Sequence, residues 1–215
     1  MSVQVQLRRD TDANILLSKG AVGEVFVDTT VYRTVVQDNV TLGGWPAPIT
    51  LFVGNGGSVN NSNTGSGAFI NHTPTFTIPA NFMIAARAFR LTAHFQLTTG
   101  TAVPILTVRL SLGSAVIATV GNPTAGPGAS QTNAQVALQW IFQATQAPSA
   151  SSNVQCSVIE NTNIAANSST TSQTAMPVAV ATNAAQAVAI ATQWATAGAG
   201  TNTIGLNQLI VEALN

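Results

Sequence analysis

Nine consecutive residues, Phe89-Arg90-Leu91-Thr92-Ala93-His94-Phe95-Gln96-Leu97, alternate strictly between apolar and polar side chains. Side chains on a strand point alternately to opposite faces, whereas a helix would spread these five apolar groups around its circumference. The period therefore predicts a strand that buries Phe89, Leu91, Ala93, Phe95 and Leu97 and shows Arg90, Thr92, His94 and Gln96. A second run sets Leu106, Val108, Leu110 and Leu112 against Thr107, Arg109 and Ser111, after a turn-rich cluster at Thr98-Thr99-Gly100-Thr101. Together the two runs predict an antiparallel hairpin with one apolar face. Such a face needs a second sheet to cover it. On this reading Arg90 and Arg109 share the polar face of the hairpin.

The same alternation recurs downstream, at Val136 to Ala144, Val154 to Val158 and Leu206 to Leu214, with shorter runs at Thr75 to Ile78 and Ala115 to Val120. Residues Ala184 to Ala197 are rich in alanine, which favours helix. Yet Val188, Ile190, Thr192 and Trp194 keep the two-residue phase, and β-branched side chains favour strands. The spacing predicts a strand there. About eight strands between polar loops make a jelly-roll sandwich the leading architecture. Gly54 to Gly67, Asn122 to Asn133 and Asn161 to Ala175 are the long loops.

Charge bounds the partners. Of 215 residues only seven are Lys or Arg and seven Asp or Glu, where average usage would give about 54 charged residues. A net charge of zero supplies no basic stripe for phosphate neutralisation, so nucleic-acid binding is not expected. Ser, Thr, Asn and Gln number 75 and take over the surface. A neutral, charge-poor surface tends to associate, which points to an oligomer. No stretch has the length of a membrane span, and the N-terminus lacks the basic and apolar regions of a signal peptide. The single cysteine, Cys156, lies on the apolar phase of its strand and reads as a small buried hydrophobe.

Nine of the fourteen charges fall within the first 38 residues, and Pro46-Ala47-Pro48 forms a stiff join after them. The predicted domains are a compact β module over residues 1–46, a linker and flexible loop over 47–67, and a knob over 68–215. In the module, strands are expected at Val3 to Leu7, Val25 to Val27 and Tyr32 to Gln37. Its series Gln6-Leu7-Arg8-Arg9-Asp10-Thr11, Gly20 to Thr29, Val36-Gln37-Asp38 and Thr41-Leu42-Gly43-Gly44-Trp45-Pro46 resembles the N-terminal domain of bacteriophage receptor-binding proteins of the major tropism determinant type. That family usually places Asp-Gly before the Thr, where this chain has Asp38-Asn39-Val40, and Asn tolerates the same left-handed backbone. The resemblance implies a trimeric module at the virion-holding end, with Arg8, Arg9, Asp28, Arg33, Asp38 and Trp45 as candidate attachment residues. Phe76 to Asn81, Leu106 to Gly113, and Trp194 to Thr196 with Asn202 to Ile204 resemble the trimeric jelly-roll domains at the outer ends of phage head and tail fibres.

Chemistry is sparse. His72 and His94 sit in no metal or nucleophile motif, and both read first as solvated or interface polar residues, His72 in a loop. Glycoside hydrolysis ordinarily uses a carboxylate pair, and beyond Asp38 only Glu160 and Glu212 could form one. No Cys/His/Asp/Glu cluster suggests a metal, and no cofactor is expected. Trp140 and Trp194 fall on the apolar phase and read as core, and Trp45 is freer. Arg90, His94, Arg109 and Glu212 are candidate subunit-interface residues, with Arg90 or Arg109 reaching Glu212 of a neighbour or binding an anionic glycan. Simple solvation is the competing reading. The sequence thus predicts an all-β chain, a small N-terminal β module followed by an antiparallel jelly-roll β-sandwich, trimeric and without enzymatic activity. It would be made in the host cytoplasm and carried on the virion surface, as a head or tail fibre or capsid spike. Its partners would be two further copies, other virion proteins and a bacterial surface glycan, bound through the Asn122 to Asn133 and Asn161 to Ala175 loops. A free lectin and a capsular polysaccharide depolymerase are the alternatives.

Overall fold

The computed structural model describes residues 8–15, 21–22, 24–29, 33–37, 45–46, 49–56, 68–85, 87–101, 105–121, 129–162, 177–194 and 202–214. The chain divides into two compact units, residues 1–49 with 213–215, and residues 50–212.

In the first unit, β1 (Arg8–Asp10), β2 (Val25–Asp28), β3 (Arg33–Val36) and β4 (Trp45–Pro46) form one sheet in that order. β1 runs parallel to β2, and β2 with β3 and β3 with β4 are antiparallel. A single helical turn, α1 (Asp12–Ile15), follows β1. The Asp10 carboxylate starts it, accepting from the Thr11 amide at 2.8 Å and from the Asn14 side-chain amide at 2.7 Å. That turn delivers Ile15 to Phe26 and Val35, and the three form the unit's own fully buried core. The strands expected at Val25 to Val27 and within Tyr32 to Gln37 are present. The one expected at Val3 to Leu7 lies outside the described residues.

The second unit is a two-sheet antiparallel sandwich built from β5 (Ile49–Asn55), β6 (Ile70–Asn71), β7 (Phe76–Ile78), β8 (Ala88–Thr98), β9 (Leu106–Leu112), β10 (Ala115–Gly121), β11 (Ala134–Ala144), β12 (Ser152–Thr162), β13 (Val178–Val180), β14 (Gln186–Trp194) and β15 (Thr203–Ala213). One sheet has the order β10-β9-β14-β6, with β7 also on β14, and the other the order β13-β12-β11-β8-β15-β5. Within the 47–67 stretch, the apolar run Ile49 to Val53 reads as a strand, and Ile49–Asn55 is an edge strand of the sandwich. First and last long strands are neighbours (β8, β15), second and second-last pair (β9, β14), and β11 pairs β12: the nested order of a rolled-up jelly roll. The order departs from strict alternation at β10, which stays beside β9, and at β11 and β12, which join the sheet of β8.

Strict alternation reads out as burial. Phe89, Leu91, Ala93, Phe95 and Leu97 are all fully buried, and their partners across β11 are Phe142, Trp140, Leu138, Val136 and Ala134. Small residues face large ones, Ala93 opposite Leu138, while Phe89 and Phe142 stack with centroids 5.3 Å apart. In the other sheet Val188, Ile190 and Thr192 of β14 align with Leu112, Leu110 and Val108 of β9. The alanine-rich segment is thus a strand because its β-branched phase has a hydrophobic partner row to join.

The expected hairpin between the two opening runs does not form. β8 pairs with β11, and β9 pairs with β10 and β14 in the opposite sheet. The reason lies in what holds the chain as it leaves β8. The Thr99 amide donates to Gln131 O at 2.9 Å, the Ser130 amide to Gly100 O at 2.7 Å, and the Gly100 amide to Asn202 Oδ1 at 2.8 Å. These bonds extend the pairing of β8 with its own sheet instead of reversing the chain, and β9 belongs to the other layer. The tight hairpin comes one strand later. Gly113 opens the two-residue β9–β10 turn at φ 58°, the conformation such a turn requires at its first central residue.

Candidate functional site

Because β8 and β9 lie in opposed sheets with their apolar faces toward each other, Arg90 and Arg109 point out of opposite sides of the sandwich. The shared polar face expected from the hairpin is corrected accordingly. On the six-stranded side, Arg90 Nε donates to Glu212 Oε2 at 2.7 Å within the same chain. This bond and its charge hold the guanidinium above its ordinary pKa and the Glu212 carboxyl below its own. On the five-stranded side, the Arg109 guanidinium lies 3.6 Å over the Phe69 ring, a cation–π contact. His94 occupies an outward position on β8, opposite Ala137.

Of the attachment candidates, Arg8 and Arg9 sit on β1, Asp28 on β2 opposite Arg33 on β3, and Trp45 on β4. Arg9 is exposed, and Asp38 lies outside the described residues. One pairing brings members of the set together in the backbone register, Asp28 opposite Arg33; on its other side Asp28 lies opposite Asp10, which is outside the set.

His72 is not a loop residue open to solvent. It directly follows β6, is 1% exposed, and lies between the sheets with its ring edge-on to Phe95 at 5.9 Å. Nε2 and Thr192 Oγ1 are 2.7 Å apart, while Nδ1 is buried without a partner. Burial pushes its pKa down to about 4. A two-residue strand flanked by polar side chains carries no periodic signal, so nothing in the sequence marks this histidine as core. Burial pushes the Cys156 thiol the other way, up to about 12. Trp140 and Trp194 are buried, as their phase predicts. Arg87 is 2% exposed, donates to Phe82 O at 3.0 Å, and covers the Phe82 ring.

The outer face of the six-stranded sheet holds an arrangement that the sequence spelled out but that counting charges overlooked. β11 turns Gln135, Gln139 and Gln143 outward, four residues apart. Gln135 lies opposite Gln96 of β8, and Gln143 lies opposite Gln155 of β12. Gln139 sits between Thr92 and Ile159, with its amide nitrogen 3.4 Å from Thr92 Oγ1. Ile159 is 54% exposed, and Ile141 is its diagonal neighbour. The signal was the outward phase of β11, in which glutamine recurs every fourth residue.

Among the described residues no group of three or more His, Cys, Asp or Glu side chains is placed to hold a metal ion, and no helix is long and apolar enough to cross a membrane. No protein-family model matches the chain, and no curated protein matches it. Similar solved structures include the CBM2 module of the evolved Dit of Lactobacillus casei BL23 phage J-1, at 10% identity and a TM-score of 0.37, covering 79% of this chain and 97% of that one. Peanut lectin with a nine-residue peptide is similar at 8% identity and a TM-score of 0.31, covering 77% and 97%. Infectious bursal disease virus, Gt strain, is similar at 10% identity and a TM-score of 0.34, covering 78% and 40%.

Proposed function

We propose that the chain is a non-enzymatic structural protein of a bacteriophage virion, a homotrimeric head or tail fibre or capsid spike that contributes to adsorption at the host surface. The observation that carries this reading is the division of labour along the chain. A small unit with its own Ile15, Phe26 and Val35 core carries most of the charge and the spaced signature of a virion-holding module. The unit that follows is a charge-poor sandwich whose outward side chains are mostly amides and hydroxyls. In this arrangement the first unit grips other virion proteins and the second projects as a knob. A free lectin is the second reading, favoured by the amide-rich outer face of the six-stranded sheet. For a depolymerase, Glu212 would have to leave Arg90, with which it is already paired.

Two measurements test the proposal. Light scattering of the full chain at micromolar concentration is expected to give three times the 22.0 kDa of one chain, and a monomer overturns the trimeric fibre. Gold-labelled antibody against the chain is expected to decorate intact phage particles, at the head or at the tail. Unlabelled particles from a lysate that contains the chain overturn the virion assignment.

A further inference from the structure

We propose that the outer face of the six-stranded sheet, along β11 and its neighbours β8 and β12, is a binding site for a linear, uncharged polysaccharide. The inference rests on the reading of the chain as a host-adsorption protein and deepens it, moving the contact from the long loops to a sheet face.

Spacing is the first argument. Gln135, Gln139 and Gln143 recur along β11 at about 13 Å, so the amide row is about 26 Å long at ~3.3 Å per residue. At its two ends a second glutamine stands directly across, Gln96 beside Gln135 and Gln155 beside Gln143. Each side-chain amide offers two donors and a two-lone-pair acceptor. Paired amides on adjacent strands therefore present alternating donors and acceptors, which is what vicinal sugar hydroxyls need, since each hydroxyl both donates and accepts.

Unused capacity is the second argument. Among the described residues, Gln96, Gln143 and Gln155 make no side-chain hydrogen bond, and Gln139 makes one long contact to Thr92. Water satisfies these groups in the free protein, and a polyhydroxyl chain can replace that water bond for bond. The exposed Ile159, directly opposite Gln139, and its diagonal neighbour Ile141 give the C–H faces of sugar rings an apolar patch beside that amide.

Charge decides the class of ligand. Within this face Arg90 and Glu212 neutralise each other at 2.7 Å, so an anionic glycan or nucleic acid gains nothing from it. A second copy of the chain is a poorer occupant. The cores of protein interfaces are enriched in Tyr, Trp, Phe, Met and Arg; the outward positions of β8, β11 and β12 carry none of the first four, and their one arginine, Arg90, is already paired with Glu212.

The test uses the full chain on an array that carries dextran, mannan and β-glucan oligosaccharides beside alginate and hyaluronan. Retention on one or more neutral members and none on the two anionic ones is expected. Gln139→Ala with Gln143→Ala should lower that binding about tenfold or more, leaving the melting temperature and the oligomer mass unchanged. Three outcomes overturn the site: no binding to any neutral member, undiminished binding by the double variant, or a smaller oligomer for that variant, which makes the face a contact between copies. Particle labelling separates the two readings. Labelled virions with an unaffected double variant remove this site alone, and a neutral-glycan binder absent from virions removes the fibre reading alone.

Discussion

His72 should make the sandwich acid-labile, and the size of the effect follows from its position. The imidazole is 1% exposed, packed on Phe95, and its Nδ1 has no partner. Charging it inside the sandwich is therefore opposed by desolvation. Its pKa is lowered from 6.5 to about 4 in the folded chain. Between those values the unfolded chain holds the proton and the folded chain does not, so stability falls as pH drops through 6.5 and stops falling below about 4. Linkage gives a loss of about 2.5 kcal/mol between pH ~7.5 and pH ~4.5, and about 3.4 kcal/mol at the acid limit. For a unit of this size that corresponds to a fall of about 5–10 °C in melting temperature. Carboxylates such as Glu212 also lose stability toward acid, because its pKa is depressed by Arg90, so the wild-type curve alone does not isolate the histidine. His72→Gln keeps a hydrogen-bonding group for Thr192 and removes the titration. Urea unfolding of both proteins at the two pH values is the assay, and the variant is expected to lose about 2.5 kcal/mol less on acidification. Equal losses would refute the argument from burial.

Three further outcomes are expected. Cys156, 6% exposed with its thiol pushed up to about 12, should resist a thiol-specific reagent at pH ~8 until urea unfolds the chain; labelling of the native protein at the unfolded rate would contradict its burial. Phe89→Ala opens a cavity between Phe82 and Phe142 and should cost about 3–5 kcal/mol by chemical denaturation, where a cost below about 1 kcal/mol would show that the site collapses. A double-mutant cycle on Arg90→Ala and Glu212→Gln should give a coupling of about 0.2–1 kcal/mol that weakens with salt, because both side chains are partly solvated. If Arg90→Ala instead lowers the oligomer mass, the arginine bridges subunits as well as strands.

Period-two alternation made the core legible residue by residue: each odd position from Phe89 to Leu97 is buried as the pattern requires. Its partner was not legible, because alternation fixes which face a side chain occupies and says nothing about which strand lies alongside. That is why β8 and β9 read as a hairpin although they belong to opposed sheets. The bonds that decide the matter, Gly100 to Asn202 and Thr99 to Gln131, join positions far apart in sequence and leave no local trace. The same blindness placed Arg90 and Arg109 on one face, and it left the pairing of Arg90 with Glu212 of the same chain unforeseen, because the strand that carries Glu212 lies beside β8. Short strands escaped for a different reason. Ile70–Asn71 and Val178–Val180 are too brief to show a period, and with the first of them went the burial of His72. The amide row on β11 was visible in the letters, but its meaning needed the register that sets Gln143 against Gln155.

The position of β8 also has a consequence for synthesis. One of its flanking strands, β11, follows within a few dozen residues, but the other, β15, is the last strand of the chain. At ~5–20 residues per second, the roughly hundred residues between the end of β8 and the start of β15 take about 5–20 s to translate. During that interval the centre of the six-stranded sheet is an open edge made of β8, whose inward face is apolar at every position from Phe89 to Leu97. A message cut short before Thr203 would leave that edge permanently open, so full-length translation and protection of the nascent chain decide how much knob assembles.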